Sequence, residues 1–273
     1  MKITKAVIPA AGHGTRFLPW TKAVPKEMLP LLNKPAIQYI IQEIADSGMQ
    51  NCIMITSPHK YAIANHFGES PALEKFLKEK NKLSLLDELN KLSNSLEFTY
   101  LYQEEANGLG HAIGLARDSI SQEYFGILLP DDIMIGSQPG IKQLIDIAQK
   151  EHASVIAVQE VSKEMVCAYG VIAIKKQISD DLFEISDLVE KPAAQDAPSN
   201  LAIIGRYILP HKIFKALDEV KPSSNGEIQL TDGIARMIKN GERVFAYKIQ
   251  GNRYDVGTPA GWLEANLSLA GKK

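Results

Sequence analysis

Short apolar runs alternate with helical patterns along the first half of this chain. The runs are residues 6–9, 52–56, 96–102 and 125–129. Between the first two runs, isoleucines from Ile37 to Ile44 recur at the three- and four-residue spacing of a helix face. Parallel strands that are covered on both faces are rich in apolar residues, and a helical crossover usually joins one to the next. The pattern therefore predicts an α/β fold with a mainly parallel central sheet flanked by helices.

The second half of the chain has more strands and fewer helices. Its predicted strands are 155–158, 170–174, 185–189 and 201–207, and its predicted helices are 211–219, 231–239 and 259–269. No linker rich in Pro, Gly or Ser divides the chain, so we expect a single domain with halves of about 1–132 and 133–273.

Two further helical segments are expected in the first half. One covers residues 109–119, and the other is a charge-rich, solvated excursion over residues 75–91. The predicted apolar face of this excursion consists of Leu83, Leu85, Leu86 and Leu89.

Composition excludes several classes of protein. Thirty basic residues face 32 acidic residues, so the chain lacks the strongly basic surface of a nucleic-acid-binding protein. Its two cysteines, Cys52 and Cys167, form neither a disulfide framework nor a Cys-x-x-Cys pair. The start of the chain lacks the apolar run of a signal peptide, and no stretch reaches the ~18 apolar residues of a membrane span. We therefore expect a cytoplasmic protein with neither nucleic-acid nor membrane partners.

The strongest local motif is Gly12-His13-Gly14-Thr15-Arg16, which directly follows the first predicted strand. Glycines let backbone N–H groups approach phosphate oxygens, and Arg16, Lys22 and Lys26 can neutralise phosphate charge. The motif is neither a P-loop, since no Gly-Lys-Ser/Thr closes it, nor a dinucleotide fingerprint, since the third glycine is missing. By itself it is equally compatible with a tight strand-to-helix turn.

Further motifs follow in order along almost the whole chain. They are Ala-Ala-Gly-x-Gly-Thr-Arg at 10–16, Pro-Lys-Glu-Met-Leu-Pro at 25–30, and segments 34–35, 108–112, 129–132, 169–171, 189–192, 200–207, 225–232 and 254–257. This ordered set resembles the sugar-nucleotide pyrophosphorylases, and within them the uridylyl branch. The resemblance implies a Rossmann-like nucleotidyltransferase fold, with a nucleotide-binding first half and extra strands that form a sugar-binding second half.

The resemblance also implies a reaction. UTP and glucose 1-phosphate would give UDP-glucose and pyrophosphate by Mg²⁺-dependent, direct in-line displacement at the α-phosphorus, in a homodimer or homotetramer. The attacking phosphate is already ionised at neutral pH, so no general base is required, and the chain contains no Gly-x-Ser-x-Gly nucleophile motif. The alternatives are a thymidylyltransferase, a uridylyltransferase for another hexose 1-phosphate, and a non-catalytic nucleotide-sugar sensor.

The family roles can be transferred residue by residue. The implied nucleotide-binding residues are Ala10, Ala11, Gly12, Gly14, Thr15, Gln103 and Gly108. The implied catalytic residues are Arg16, Lys26, Asp131 and Lys191. Gly170, Glu190 and Lys191 would bind the sugar and its phosphate, and Asp131 and Asp255 would hold Mg²⁺.

Without the resemblance, these residues have simpler interpretations. Gln103 would be an exposed strand-end glutamine, Asp131 a turn or helix cap, and Glu190-Lys191 a surface pair. We also expect Arg206 to form a structural ion pair and His111 to be a structural residue at a helix start.

Overall fold

A nine-stranded sheet organises the computed structural model, which describes residues 1–121, 123–223 and 226–271. The strands of the described residues are β1 Lys5–Pro9, β2 Pro30–Leu31, β3 Lys34–Pro35, β4 Asn51–Thr56, β5 Glu97–Tyr102, β6 Tyr124–Leu128, β7 Asp132–Ile135, β8 Ser154–Glu160, β9 Gly170–Gln177, β10 Leu182–Glu190, β11 Leu201–Pro210, β12 Val244–Lys248 and β13 Asn252–Asp255. The helices are α1 Ala36–Asp46, α2 Tyr61–Phe67, α3 Pro71–Glu79, α4 Leu83–Ser93, α5 Leu109–Gly114, α6 Gly140–Glu151, α7 Lys212–Asp218, α8 Leu230–Lys239 and α9 Pro259–Ala270.

The strand order in the large sheet is β5-β4-β1-β6-β11-β8-β12-β10-β9. Strands β5, β4, β1 and β6 run parallel, as do β8 and β12. By contrast, β11 is antiparallel to β6 and β8, and β10 is antiparallel to β12 and β9. The predicted α/β fold is confirmed, and the sheet is mixed because β11 and β10 run against their neighbours. The short β9–β10 connection forces one of these antiparallel pairs.

Apolar residues cover both faces of the sheet, as the strand pattern predicts. Successive residues of β1 point to opposite faces, so Val7 and Ile8 belong to different apolar clusters. The cluster around Ile8 includes Ile40 of α1, and the cluster around Val7 includes Phe214 of α7. Each such side chain contributes roughly 1.5–3 kcal/mol when it is fully buried. Helices on both faces therefore hold the strand ends in place.

The excursion at residues 75–91 differs from its prediction. Two helices, α3 and α4, replace a continuous helix, and Asn81 between them has a left-handed φ of 52°. Of the four predicted apolar-face leucines, only Leu86 is buried, while Leu83, Leu85 and Leu89 are 51%, 46% and 48% exposed. Periodicity identifies an apolar face but not the neighbour that covers it, and here the buried residues of α4 are Leu86 and Leu92.

The predicted helix at 109–119 is also shorter than expected. Helix α5 ends at Gly114, and a separate 3₁₀ turn covers Arg117–Ser119.

In the described part of the chain, no helix combines the length and apolar character that a bilayer crossing requires.

Candidate functional site

The loop at residues 10–16 begins at the carboxyl end of β1, where parallel sheets bind ligands. Its first residue is fixed on both sides: the Ala10 amide donates to the Ile55 carbonyl at 2.7 Å, and Lys60 Nζ donates to the Ala10 carbonyl at 2.7 Å. Ala10 and Ala11 are buried. The remainder of the loop is more open, with Gly12, Thr15 and Arg16 exposed. The loop therefore offers backbone groups and one guanidinium to a ligand.

A cavity of about 350 Å³ lies beside this loop. The residues that line it include Ala11, Lys22, Lys60 and Gln103. Gln103 is only 6% exposed, so it is not a solvated strand-end residue. Its Nε2 lies 3.4 Å from the Gly108 carbonyl oxygen and 2.8 Å from His111 Nδ1. The structure thus brings Ala11, Gln103 and Gly108 together.

Lys26 and Asp131 form an ion pair at the centre of the site, with Nζ and Oδ2 2.7 Å apart. Burial favours the neutral form of both groups, but each charge stabilises the other. The Lys26 ammonium and the nearby Arg16 charge hold the pKa of Asp131 below its usual value, although burial acts to raise it. The pKa of Lys26 is raised, since the Asp131 and Glu27 charges outweigh burial. Both groups are therefore charged at neutral pH.

Asp255 and Asp131 approach each other beside Gly257. The Val256 amide donates to the Asp131 carbonyl at 2.8 Å, which fixes the end of β13 against the end of β6. A Cβ at Gly257 would lie 3.1 Å from both Asp131 Oδ2 and Asp255 Oδ1. The described residues contain no group of three or more His, Cys, Asp or Glu side chains that could hold a metal. Two carboxylates that both approach this glycine fit Mg²⁺, which takes its other ligands from phosphate and water.

A second, smaller cavity of about 150 Å³ lies among β9, β10, β11 and the start of α8. The residues that line it include Tyr169, Gly170, Glu190 and Thr231. Thr231 Oγ1 donates to Glu190 Oε2 at 3.0 Å, and a Cβ at Gly170 would lie 3.1 Å from that same oxygen. The sequence-predicted pair Gly170 and Glu190 therefore meets here.

Lys191 lies outside this cavity lining. Its side chain is 59% exposed, its Nζ is 3.6 Å from Glu190 Oε1, and its backbone is left-handed with φ 45°. Its amide donates to the Tyr169 carbonyl at 3.0 Å, so the backbone is fixed while the ammonium is open to solvent. Asn225, in the 225–232 motif, lies outside the described residues.

A family model described as "Nucleotidyl transferase" matches residues 5–272. The chain belongs to this family. The resemblance drawn from the ordered motifs is thereby confirmed, and the fold agrees with it.

Individual relatives cover nearly the whole of this nucleotidyl transferase. The UTP--glucose-1-phosphate uridylyltransferase of Bacillus subtilis (strain 168) is 46% identical over 269 residues, which are 98% of this chain and 91% of the relative. A solved UDP-glucose pyrophosphorylase complexed with UDP-glucose is 40% identical with a TM-score of 0.90, over 100% of both chains. A UTP-bound UGPase from Acinetobacter baumannii is 36% identical with a TM-score of 0.91, over 100% of this chain and 95% of its own.

Sequence reasoning missed a buried ion pair beneath the loop of this nucleotidyl transferase. Lys60 Nζ lies 2.9 Å and 3.0 Å from the two carboxylate oxygens of Glu27, the neighbour of Lys26. Burial lowers the pKa of Lys60, and the Glu27 charge opposes that shift. Glu27 lies within the motif at 25–30, but no motif contains Lys60, so only the structure could connect them.

Sequence reasoning also missed Arg253. Its Nε donates to Asp132 Oδ1 at 2.5 Å, and its Nη2 lies 3.6 Å from Asp255 Oδ2. The other Asp132 oxygen, Oδ2, accepts from the Gly205 amide at 2.9 Å. The Tyr169 hydroxyl lies 3.4 Å from Arg253 Nη1 and 3.5 Å from Asp255 Oδ2. Arg253 thus connects the two-carboxylate region with the smaller cavity.

Proposed function

We propose that this nucleotidyl transferase transfers the uridylyl group of UTP to glucose 1-phosphate, giving UDP-glucose and pyrophosphate. The observation that carries this proposal is the position of the Lys26–Asp131 pair with respect to both cavities. Pro25, next to Lys26, lines the larger cavity, and Asp132, next to Asp131, lines the smaller one. The larger cavity would take the nucleoside and the smaller one the sugar. The names and ligands of the relatives agree with this pair of substrates.

The chemistry of this reaction is mainly electrostatic. A phosphate oxygen of glucose 1-phosphate attacks the α-phosphorus of UTP, and pyrophosphate leaves from the opposite side. Two unit charges 4 Å apart interact by about 1 kcal/mol in water and about 4 kcal/mol at an effective dielectric of 20, so several phosphate charges must be neutralised locally. Arg16 and Lys26 would bind the triphosphate, and the exposed Lys191 ammonium would bind the sugar phosphate.

Positioning accounts for the remaining part of catalysis. The loop would hold the nucleotide through Ala10, Ala11, Gly12, Gly14 and Thr15. Gln103 and Gly108 would contact the nucleobase. Gly170 and Glu190 would bind the sugar, because a carboxylate accepts hydrogen bonds from its hydroxyls. Asp131 and Asp255 would hold Mg²⁺, which when bound supplies positive charge to phosphate oxygens.

Three further properties are proposed together with this function. A single domain, with a nucleotide-binding half of about 1–132 and a sugar-binding half of about 133–273, is supported by the sheet that both halves share. A homodimer or homotetramer that assembles through the second half is supported by Leu263 and Leu267 of α9, which are 53% and 66% exposed. A cytoplasmic location suits an enzyme that consumes UTP.

Pyrophosphate release by the purified protein tests the reaction. We expect release with UTP, glucose 1-phosphate and Mg²⁺ together, and none when any one of them is omitted. Parallel assays with dTTP, and with other hexose 1-phosphates, test the substrate assignment. A preference for dTTP would make the protein a thymidylyltransferase. Absence of release with every nucleotide, from protein that still binds UDP-glucose, would contradict the enzyme proposal and favour a sensor.

The hydrogen bond from Thr231 to Glu190 gives a test of the sugar cavity. Without this donor, Glu190 is less firmly oriented toward the sugar, so we expect Thr231→Val to raise the KM for glucose 1-phosphate about 2- to 10-fold. The KM for UTP is expected to stay constant. Thr231→Ser keeps the hydroxyl and serves as the matched control. Steady-state kinetics in which both KM values rise together would contradict the assignment of this cavity to the sugar.

A further inference from the structure

The amide of Gln103 has a defined orientation in the nucleotide cavity. Its Nε2 lies 3.4 Å from the Gly108 carbonyl oxygen, which can only accept, so the atom facing this carbonyl is the amide nitrogen. The same nitrogen lies 2.8 Å from His111 Nδ1. Both N–H groups of the amide are therefore directed at the protein.

The other end of the amide is left for a ligand. Among the residues that the structure describes, none donates a hydrogen bond to Gln103 Oε1, and this oxygen is not sealed from solvent. Gln103 lines the larger cavity. The amide thus presents an acceptor to the cavity.

His111 must accept the hydrogen bond from Gln103, so its Nδ1 is unprotonated and its proton is on Nε2. The backbone around it is fixed. The Gly110 amide donates to the Ile228 carbonyl at 2.8 Å, and Gly108 has φ 96° with no room for a Cβ, which would lie 2.6 Å from that carbonyl oxygen. The two groups that orient Gln103 are therefore held by the start of α5.

We propose that His111 is a positioning residue that sets base selectivity through Gln103. With Oε1 facing the base, the site accepts a hydrogen bond from the N3–H of uracil or thymine. Cytosine has an unprotonated N3, so its lone pair would face the lone pairs of Oε1. His111 would therefore favour UTP and dTTP over CTP. This inference rests on the proposed assignment of the larger cavity to the nucleoside.

Two substitutions of similar shape separate this role from a structural one. His111→Leu removes the acceptor. His111→Asn keeps one, because the asparagine Oδ1 is bonded to Cγ, as the histidine Nδ1 is, and can take its place. We would measure the affinity of each folded variant for UDP and CDP by calorimetry, and kcat/KM with UTP and CTP. We expect His111→Leu to lower the UDP-to-CDP affinity ratio about tenfold, because the freed amide can turn its N–H toward cytosine. His111→Asn is expected to keep the ratio within about threefold of the wild type.

Several outcomes would overturn the proposal. A wild-type protein that binds CDP as well as UDP would do so, as would a His111→Leu variant that retains the wild-type ratio. Equal losses of affinity for both nucleotides would indicate a merely structural residue. The binding measurement needs no turnover, so selective UDP binding without pyrophosphate release would disprove the proposed reaction while it upholds the role of His111.

Discussion

Asp131→Asn lowers kcat for pyrophosphate release by about 10²–10³-fold, with the fold intact, if the central ion pair acts as proposed. Asparagine keeps nearly the shape of the side chain but loses the charge. The Lys26 ammonium, now 2.7 Å from Asp131 Oδ2, then has no counter-charge at that contact. The position also loses one of the two carboxylates that flank the space beside Gly257. Steady-state kinetics at saturating UTP and glucose 1-phosphate measure the change.

A surface carboxylate provides the matched control for this substitution. Asp146 pairs with Lys142 on the exposed face of α6, where its side chain is 46% exposed. Asp146→Asn is expected to leave kcat unchanged, because exposed pairs contribute little and this one lies outside the site. Circular dichroism shows whether both variants are folded. An Asp131→Asn protein that is folded and retains kcat within about threefold of wild type would remove Asp131 from the mechanism.

The topology of parallel strands made much of this site predictable. The loop at 10–16 follows β1, Gln103 follows β5 and Asp131 follows β6. These strands belong to one parallel group, so their carboxyl ends lie at a single edge of the sheet. Motifs that lie far apart in the chain therefore meet at this edge.

Interactions between distant and unmarked residues could not be predicted. Arg253 contacts Asp132 across 121 positions, and Lys60 contacts Glu27 across 33. Neither contact leaves a periodic or local pattern in the sequence. His111 illustrates a related limit: the sequence places it at a helix start, which α5 confirms, but only the structure shows that its Nδ1 reaches Gln103.

A second large effect is expected where the two halves of the chain meet beneath the site. Arg206 of β11 has no exposed surface, and its guanidinium forms a bidentate pair with Glu43 of α1 through bonds of 2.9 Å and 2.7 Å. This is the structural ion pair expected from the sequence. Arg206 also donates to the main-chain carbonyls of Gly205 and Asp132 at 2.8 Å and 2.7 Å, so the pair supports the strand ends that carry the site.

Glu43→Gln leaves the Arg206 guanidinium buried without a counter-charge, so we expect the free energy of unfolding to fall by about 3–5 kcal/mol. The exposed pair between Arg236 and Glu219 is the control, and Glu219→Gln is expected to cost less than about 1 kcal/mol. The double variant Glu43→Leu/Arg206→Met should be more stable than Glu43→Gln. Two apolar side chains leave no buried charge unpaired, whereas the loss of Glu43 alone leaves the buried Arg206 charge without a partner. Urea denaturation measures all three. If Glu43→Gln costs no more than Glu219→Gln, the buried pair does not stabilise the fold in the way its geometry indicates.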